Sequence, residues 1–87
     1  MYFDGLSDAI ARLDEILKEI VEDTSKLYDE NSNIEDGAKA EGRELTPDED
    51  AQIEDNLDDL EYLNYDIDVL ERVIGDLKYY KNHKYGN

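Results

Sequence analysis

Residues 46–77 read TPDEDAQIEDNLDDLEYLNYDIDVLERVIGDL, and this stretch decides the fold. It opens on Thr46-Pro47-Asp48-Glu49, a capping box with proline at the first helical position. The Thr46 hydroxyl accepts from the Glu49 amide, and the Glu49 carboxylate reaches back to the Thr46 amide. Pro47 gives up only a donor that a helix start leaves unpaired. Beyond the cap, Ile53, Leu60, Ile67 and Ile74 form one apolar row. Leu63, Leu70 and Leu77 form its partner row, with Asn56 as the polar member and Leu57 and Val73 alongside. The spacing predicts a helix over 47–82, about 54 Å long at 1.5 Å per residue.

Upstream, Leu6, Ile10, Leu13, Leu17, Ile20, Thr24 and Leu27 repeat the same heptad seam without a break. Ala9, Ile16, Val21 and Tyr28 widen that face, and Asp4 or Ser7 caps its start. The end of this helix is ambiguous. Asn31-Ser32-Asn33 and Gly37 read as breakers, which gives a helix over 5–31. Yet Ile34, Ala38 and Leu45 stay in phase with Leu27, which carries the helix to 41 with Gly42 as a left-handed cap and a turn at 42–46. The equal-arm hairpin is the preferred architecture, because it leaves a loop of ordinary length and brings Asn31 near Asn56. The expected fold is therefore all-α: one domain over 1–87, an antiparallel hairpin with a heptad seam and a basic tail at 83–87. A two-helix hairpin buries one stripe only, so a further packing partner is expected. A second copy, giving a homodimeric bundle, is favoured over a short third helix in the hinge.

Charge sets the function classes. The 87 residues carry 25 acids and 9 bases, a net −16. Residues 48–76 hold 12 acids against the single base Arg72, whereas residues 1–47 hold 13 acids against 5 bases. The ten acids from Asp48 to Asp68 span about 30 Å of helix, roughly one charge per 3 Å. One strand of B-DNA carries one per ~3.4 Å. Like charges at i,i+3 and i,i+4, such as Asp55/Asp58, Asp55/Asp59 and Asp58/Glu61, cost helix stability, and a basic partner is a reason to keep them. Such a field repels phosphates, which excludes direct nucleic-acid binding. No apolar run exceeds three residues, so neither a membrane span nor a secretory signal is visible, and a cytoplasmic location is expected.

On the helical frame Glu54, Glu61 and Asp68 form one outward row, Asp55, Tyr62, Val69 and Asp76 a second, and Asp58, Tyr65 and Arg72 a third. Asp59 and Asp66 lie beside them. Asp55, Asp58, Asp59, Glu61, Asp66 and Asp68 are the candidate steering carboxylates; Tyr62, Tyr65 and Val69 are the candidate anchors of a protein contact. The Lys78, Lys81, Lys84 and His83 cluster complements the helix C-terminal dipole. Enzymatic chemistry is not expected. The chain has one His and no Cys, and its carboxylates match neither a calcium loop nor a glycosidase pair in a cleft. Catalytic residues, metal and cofactor are all expected to be absent.

Two resemblances follow from these residues. Residues 40–57, AEGRELTPDEDAQIEDNL, resemble the turn and second arm of helical hairpins in phage capsid delta (scaffolding) domains. As a whole, a tiny, very acidic, cysteine-free helical chain resembles the class of phage-encoded DNA mimics. The second resemblance implies an inhibitor that occupies the DNA-binding surface of a basic host protein, such as a histone-like nucleoid protein, a defence nuclease or a polymerase. The first implies a coiled-coil structural or scaffolding module whose acidic face is passive.

Overall fold

The computed structural model describes residues 5–84 and is built from two helices, α1 (Gly5–Ala40) and α2 (Pro47–Lys84), packed against each other as a hairpin. The chain is a rod, 65 × 17 × 17 Å, with a radius of gyration of 19.4 Å. A compact chain of this length would have about 12 Å.

The seam forms as the 4-3 spacing dictates. In α1, Ile10, Thr24, Asn31 and Ala38 are buried, and Leu6, Leu13, Leu17, Ile20, Leu27 and Ile34 are half-buried. In α2, Ile53, Asn56, Leu60 and Ile74 are buried, and Leu63, Ile67, Leu70 and Leu77 are half-buried. Asn56 Nδ2 donates to Asn31 Oδ1 at 2.8 Å. Pairing residue 31 with residue 56 fixes the register, so that facing seam positions sum to 87. Thr24 is satisfied within its own helix, its hydroxyl donating to the Val21 carbonyl at 2.7 Å.

Residues 31–41 contribute the last turns of α1 and its cap rather than a third helix or a hinge loop. The Asn-Ser-Asn run stays helical because its neighbours Ile34 and Ala38 gain burial against α2. Long-range packing thereby outweighs local turn preference. The helix stops in a Schellman motif: Gly42 sits at φ 65°, its amide donates to Lys39 O at 3.0 Å, and the Arg43 amide donates to Ala38 O at 3.0 Å. A side chain at position 42 would be strained by that φ. The capping box also forms, with Thr46 N donating to Glu49 Oε1 at 2.9 Å and Glu49 N to Thr46 Oγ1 at 3.1 Å.

α2 runs two residues beyond the expected 82, which moves His83 and Lys84 from the tail into the helix. The His83 ring stacks on Tyr79 at 3.8 Å, and its Nδ1 donates to the Tyr79 carbonyl at 2.9 Å, extending the last turn. The rest of the basic tail, 85–87, and the alternative cap Asp4 lie outside the described residues. Among the described residues, no helix is long and apolar enough to cross a membrane.

Candidate acidic face of the second helix

The candidate residues take their places from the seam. With Leu60, Leu63, Ile67 and Leu70 turned toward α1, the intervening positions must face outward. Asp55, Asp58, Asp59, Glu61, Asp66 and Asp68 are all exposed, and so are Glu54, Asp48 and Asp50. Together they wrap the solvent side of α2 from its cap to just past its middle. Tyr62 and Tyr65 are 75% and 68% exposed, the most open of the large apolar side chains among the described residues. Tyr62, Tyr65, Asp58, Glu61 and Asp66 line one open surface depression. Val69 lies one turn further on and is 37% exposed. Tyr65 and Val69 are four residues apart, so the aromatic pair and the valine form one continuous strip.

Few bases answer these acids. Among the described residues, Asp68 pairs with Arg72 at 3.0 Å, both exposed, and Glu49 pairs with Arg43. Asp48, Asp50, Glu54, Asp55, Asp58, Asp59, Glu61 and Asp66 form no ion pair with any described residue. Their mutual repulsion is screened by solvent and salt. Two lysines further along α2 turn elsewhere: Lys78 faces Asp14 at 4.0 Å, and Lys81 donates to Ser7, both joining α2 to α1 at the open end. Among the described residues, no three His, Cys, Asp or Glu converge on a common metal position.

Sequence reasoning missed three anchors around this face. Arg43 grips Glu49 through Nη1 and Nη2, at 2.7 and 3.1 Å, and holds Glu41 through Nε. This fork ties the end of α1 to the first turn of α2. It holds the Glu49 carboxyl down at a pKa of about 2, chiefly through the Arg43 hydrogen bond and then through the Thr46 amide. The same carboxylates push the Arg43 guanidinium further above its ordinary range. Second, the Asn pair is not alone. Gln52 Nε2 donates to Asn56 Oδ1 at 3.0 Å, and Asn56 Nδ2 also reaches Glu30 Oε1 at 3.3 Å. Third, Asn64 Nδ2 donates to Tyr28 Oη at 3.3 Å across the arms. The last two follow from the Asn31–Asn56 register once that register is granted. Arg43 sits outside any periodic pattern and left no such signal.

No family model matches the chain, and no characterised protein or solved structure matches it either.

Proposed function

We propose that this protein is a non-enzymatic DNA mimic, of the kind phages encode, that acts in the bacterial cytoplasm. The outer face of α2 occupies the DNA-binding surface of a basic host protein: a histone-like nucleoid protein, a defence nuclease or a polymerase. The observation that carries this reading is the run of eight carboxylates between Asp48 and Asp66 with no ion-pair partner among the described residues. A carboxylate coat kept only for solubility would gain helix stability from interspersed lysines at i,i+4. Here the helix bears the full repulsion, and its density approaches that of one DNA strand.

The roles divide by chemistry. Asp55, Asp58, Asp59, Glu61, Asp66 and Asp68 stand where phosphates would meet lysines and arginines. Their pull is long-ranged and screened, with a Debye length of about 8 Å at physiological salt. Tyr62, Tyr65 and Val69 supply rigid apolar area in the middle of that charge, the composition of a binding hot spot. Charge brings the partner in, and desolvation of the strip holds it.

The test is competition. Labelled duplex DNA bound to a histone-like nucleoid protein should be displaced by the wild-type chain, and displacement should weaken steeply as salt rises. The variant with Asp55→Asn, Asp58→Asn, Glu61→Gln and Asp68→Asn should keep its helicity and lose the displacement. DNA that stays bound across a panel of basic DNA-binding proteins sinks the reading. A second reading, a scaffolding coiled coil with a passive acidic face, draws support from the exposed Ile16 and Val73. It requires the quadruple variant to retain full activity.

A further inference from the structure

The tyrosines on the outer face of α2 stand where a DNA duplex has no exposed ring. Tyr62 and Tyr65 are largely exposed, and with Val69 they run along the middle of that face. Glu54, Glu61 and Asp68 follow one side of the strip, and Asp59 and Asp66 follow the other, all exposed. Asp58 stands one turn ahead of Tyr62, and Arg72, paired with Asp68 at 3.0 Å, closes the far end. The two carboxylate lines thus sit on opposite shoulders of a cylinder about 10–12 Å across. Between the rings lies the depression edged by Asp58, Glu61 and Asp66. A planar guanidinium or a second aromatic ring is the group that such a place takes. The matching outer rows of α1 carry Arg12, Glu15, Glu22 and Lys26 and no aromatic residue.

This profile separates two kinds of nucleic acid. A duplex stacks its bases inside and winds two phosphate strands around its grooves. Proteins that read it push a helix or a β-ribbon into a groove about 12 Å wide and 8.5 Å deep. A rod 17 Å across, built of two helices side by side, has no depth for such a groove. A single strand offers one line of charge with flat π faces open beside it. Proteins that hold it do so in a basic groove where aromatic side chains stack on the bases. A convex ridge with rings along its crest and carboxylates on its shoulders is the complement of that groove.

We infer that the ridge of Tyr62, Tyr65 and Val69 docks in the groove of a protein that threads single-stranded nucleic acid, so that α2 stands in for one strand. This partner class rests on the DNA-mimic function proposed above and narrows it. A nuclease or polymerase channel that holds one strand receives the ridge; a histone-like protein that grips duplex has no groove for it. The tyrosine rings stack on the partner's aromatic platform, where bases would lie. The shoulder carboxylates meet its basic walls, where phosphates would lie.

Two displacement assays, run side by side on the intact chain, test it. In one, fluorescent oligothymidylate is bound to a panel of single-strand-binding proteins with basic, aromatic-floored grooves. In the other, labelled duplex is bound to a histone-like nucleoid protein, and the lengths of the nucleic acids are chosen so that the complexes match in affinity. The wild type should release the oligonucleotide at a concentration about tenfold or more below that which releases the duplex. Tyr62→Ala combined with Tyr65→Ala should raise the first concentration about tenfold or more, because each lost ring removes a stacked contact, and should leave the second within about twofold. Tyr62→Phe combined with Tyr65→Phe should compete like the wild type, since stacking needs the ring and not the hydroxyl. Both positions are exposed, so circular dichroism should show wild-type helicity in every variant. Duplex released as readily as the oligonucleotide, or an alanine pair that competes undiminished for the oligonucleotide, overturns the single-strand assignment and leaves the DNA-mimic function standing. No release in either assay overturns both.

Discussion

Glu22 on α1 and Asp58 on α2 occupy the same heptad position, at the middle of the solvent face of each arm. Their surroundings differ. Glu22 stands four residues from Lys18, four from Lys26 and three from Glu19; Asp58 stands four from Glu54, three from Asp55 and three from Glu61. The arms are nearly equal in length, 36 and 38 residues, and share one seam. They diverge only where the seam leaves residues free. In α1, Arg12, Lys18, Lys26 and Lys39 interrupt the acids, as they do on an ordinary solvated helix. Between Asp48 and Asp68 nothing interrupts them. A fold constraint would act on both arms alike, so the shared seam does not account for the charge of α2.

The largest expected effect lies in the frame that the two arms share. Leu60 is 3% exposed. Leu60→Ala should cost about 3 kcal/mol of unfolding free energy in urea titration. Tyr65→Ala on the outer face should cost under ~0.5 kcal/mol. Equal costs would mean that the outer strip is structural and that the division between seam and face is wrong.

The second concerns the polar layer that joins the arms. Asn31→Leu removes one partner and leaves the buried Asn56 with Gln52 and Glu30 only, at a cost of about 1–2 kcal/mol. Replacing both asparagines with leucine should restore or exceed wild-type stability. It should also relax the alignment, seen as additional amide peaks in the NMR spectrum. A double variant with one clean set of peaks would show that the apolar seam alone fixes the register.

The third probes the loop, where the arms touch in sequence. Glu49 has its carboxyl lowered to a pKa of about 2 from 4.5. A depressed carboxyl contributes stability that is fully present above the unfolded value and is lost as pH falls through the folded one. The wild type should therefore lead Arg43→Gln most at pH 5 and above. The gap in urea midpoint should close between pH 4.5 and pH 2. A gap constant across that window would mean that the Arg43 fork does not set the Glu49 proton affinity.

Much of this was legible in the chain, for reasons that differ by residue. The seam repeats every 3.5 residues over both arms, so burial of Ile10, Ile53, Leu60 and Ile74 follows from periodicity alone. Thr46 and Glu49 declare a helix start by their spacing. Asn31 was ambiguous because local turn preference and long-range phase disagree there, and only its distance from Asn56 settles the matter. Arg43 was not legible, since a fork across a loop has no period. The candidate face lies between these cases. Periodicity places Asp55, Tyr62 and Tyr65 outward, but the absence of answering cations depends on where Lys78 and Lys81 reach, and that requires the register.

The smallest effect returns to Glu22 and Asp58, and it isolates the local field. Asp58→Lys and Glu22→Lys change the net charge equally, so any relief of whole-molecule repulsion is the same in both. What differs is the neighbourhood. A lysine at 58 turns three like-charge neighbours into favourable ones and replaces a poor helix former, for a gain of roughly 0.5–1 kcal/mol. A lysine at 22 meets Lys18 and Lys26, gains only Glu19 as a favourable neighbour and gives up a favourable glutamate, so it should gain less or lose a few tenths of a kcal/mol. The difference between the two variants should shrink in 1 M salt, where the screening length falls to about 3 Å. If the two substitutions shift the urea midpoint alike at low salt, α2 bears no special repulsion. Its acids would then need no basic partner to answer them.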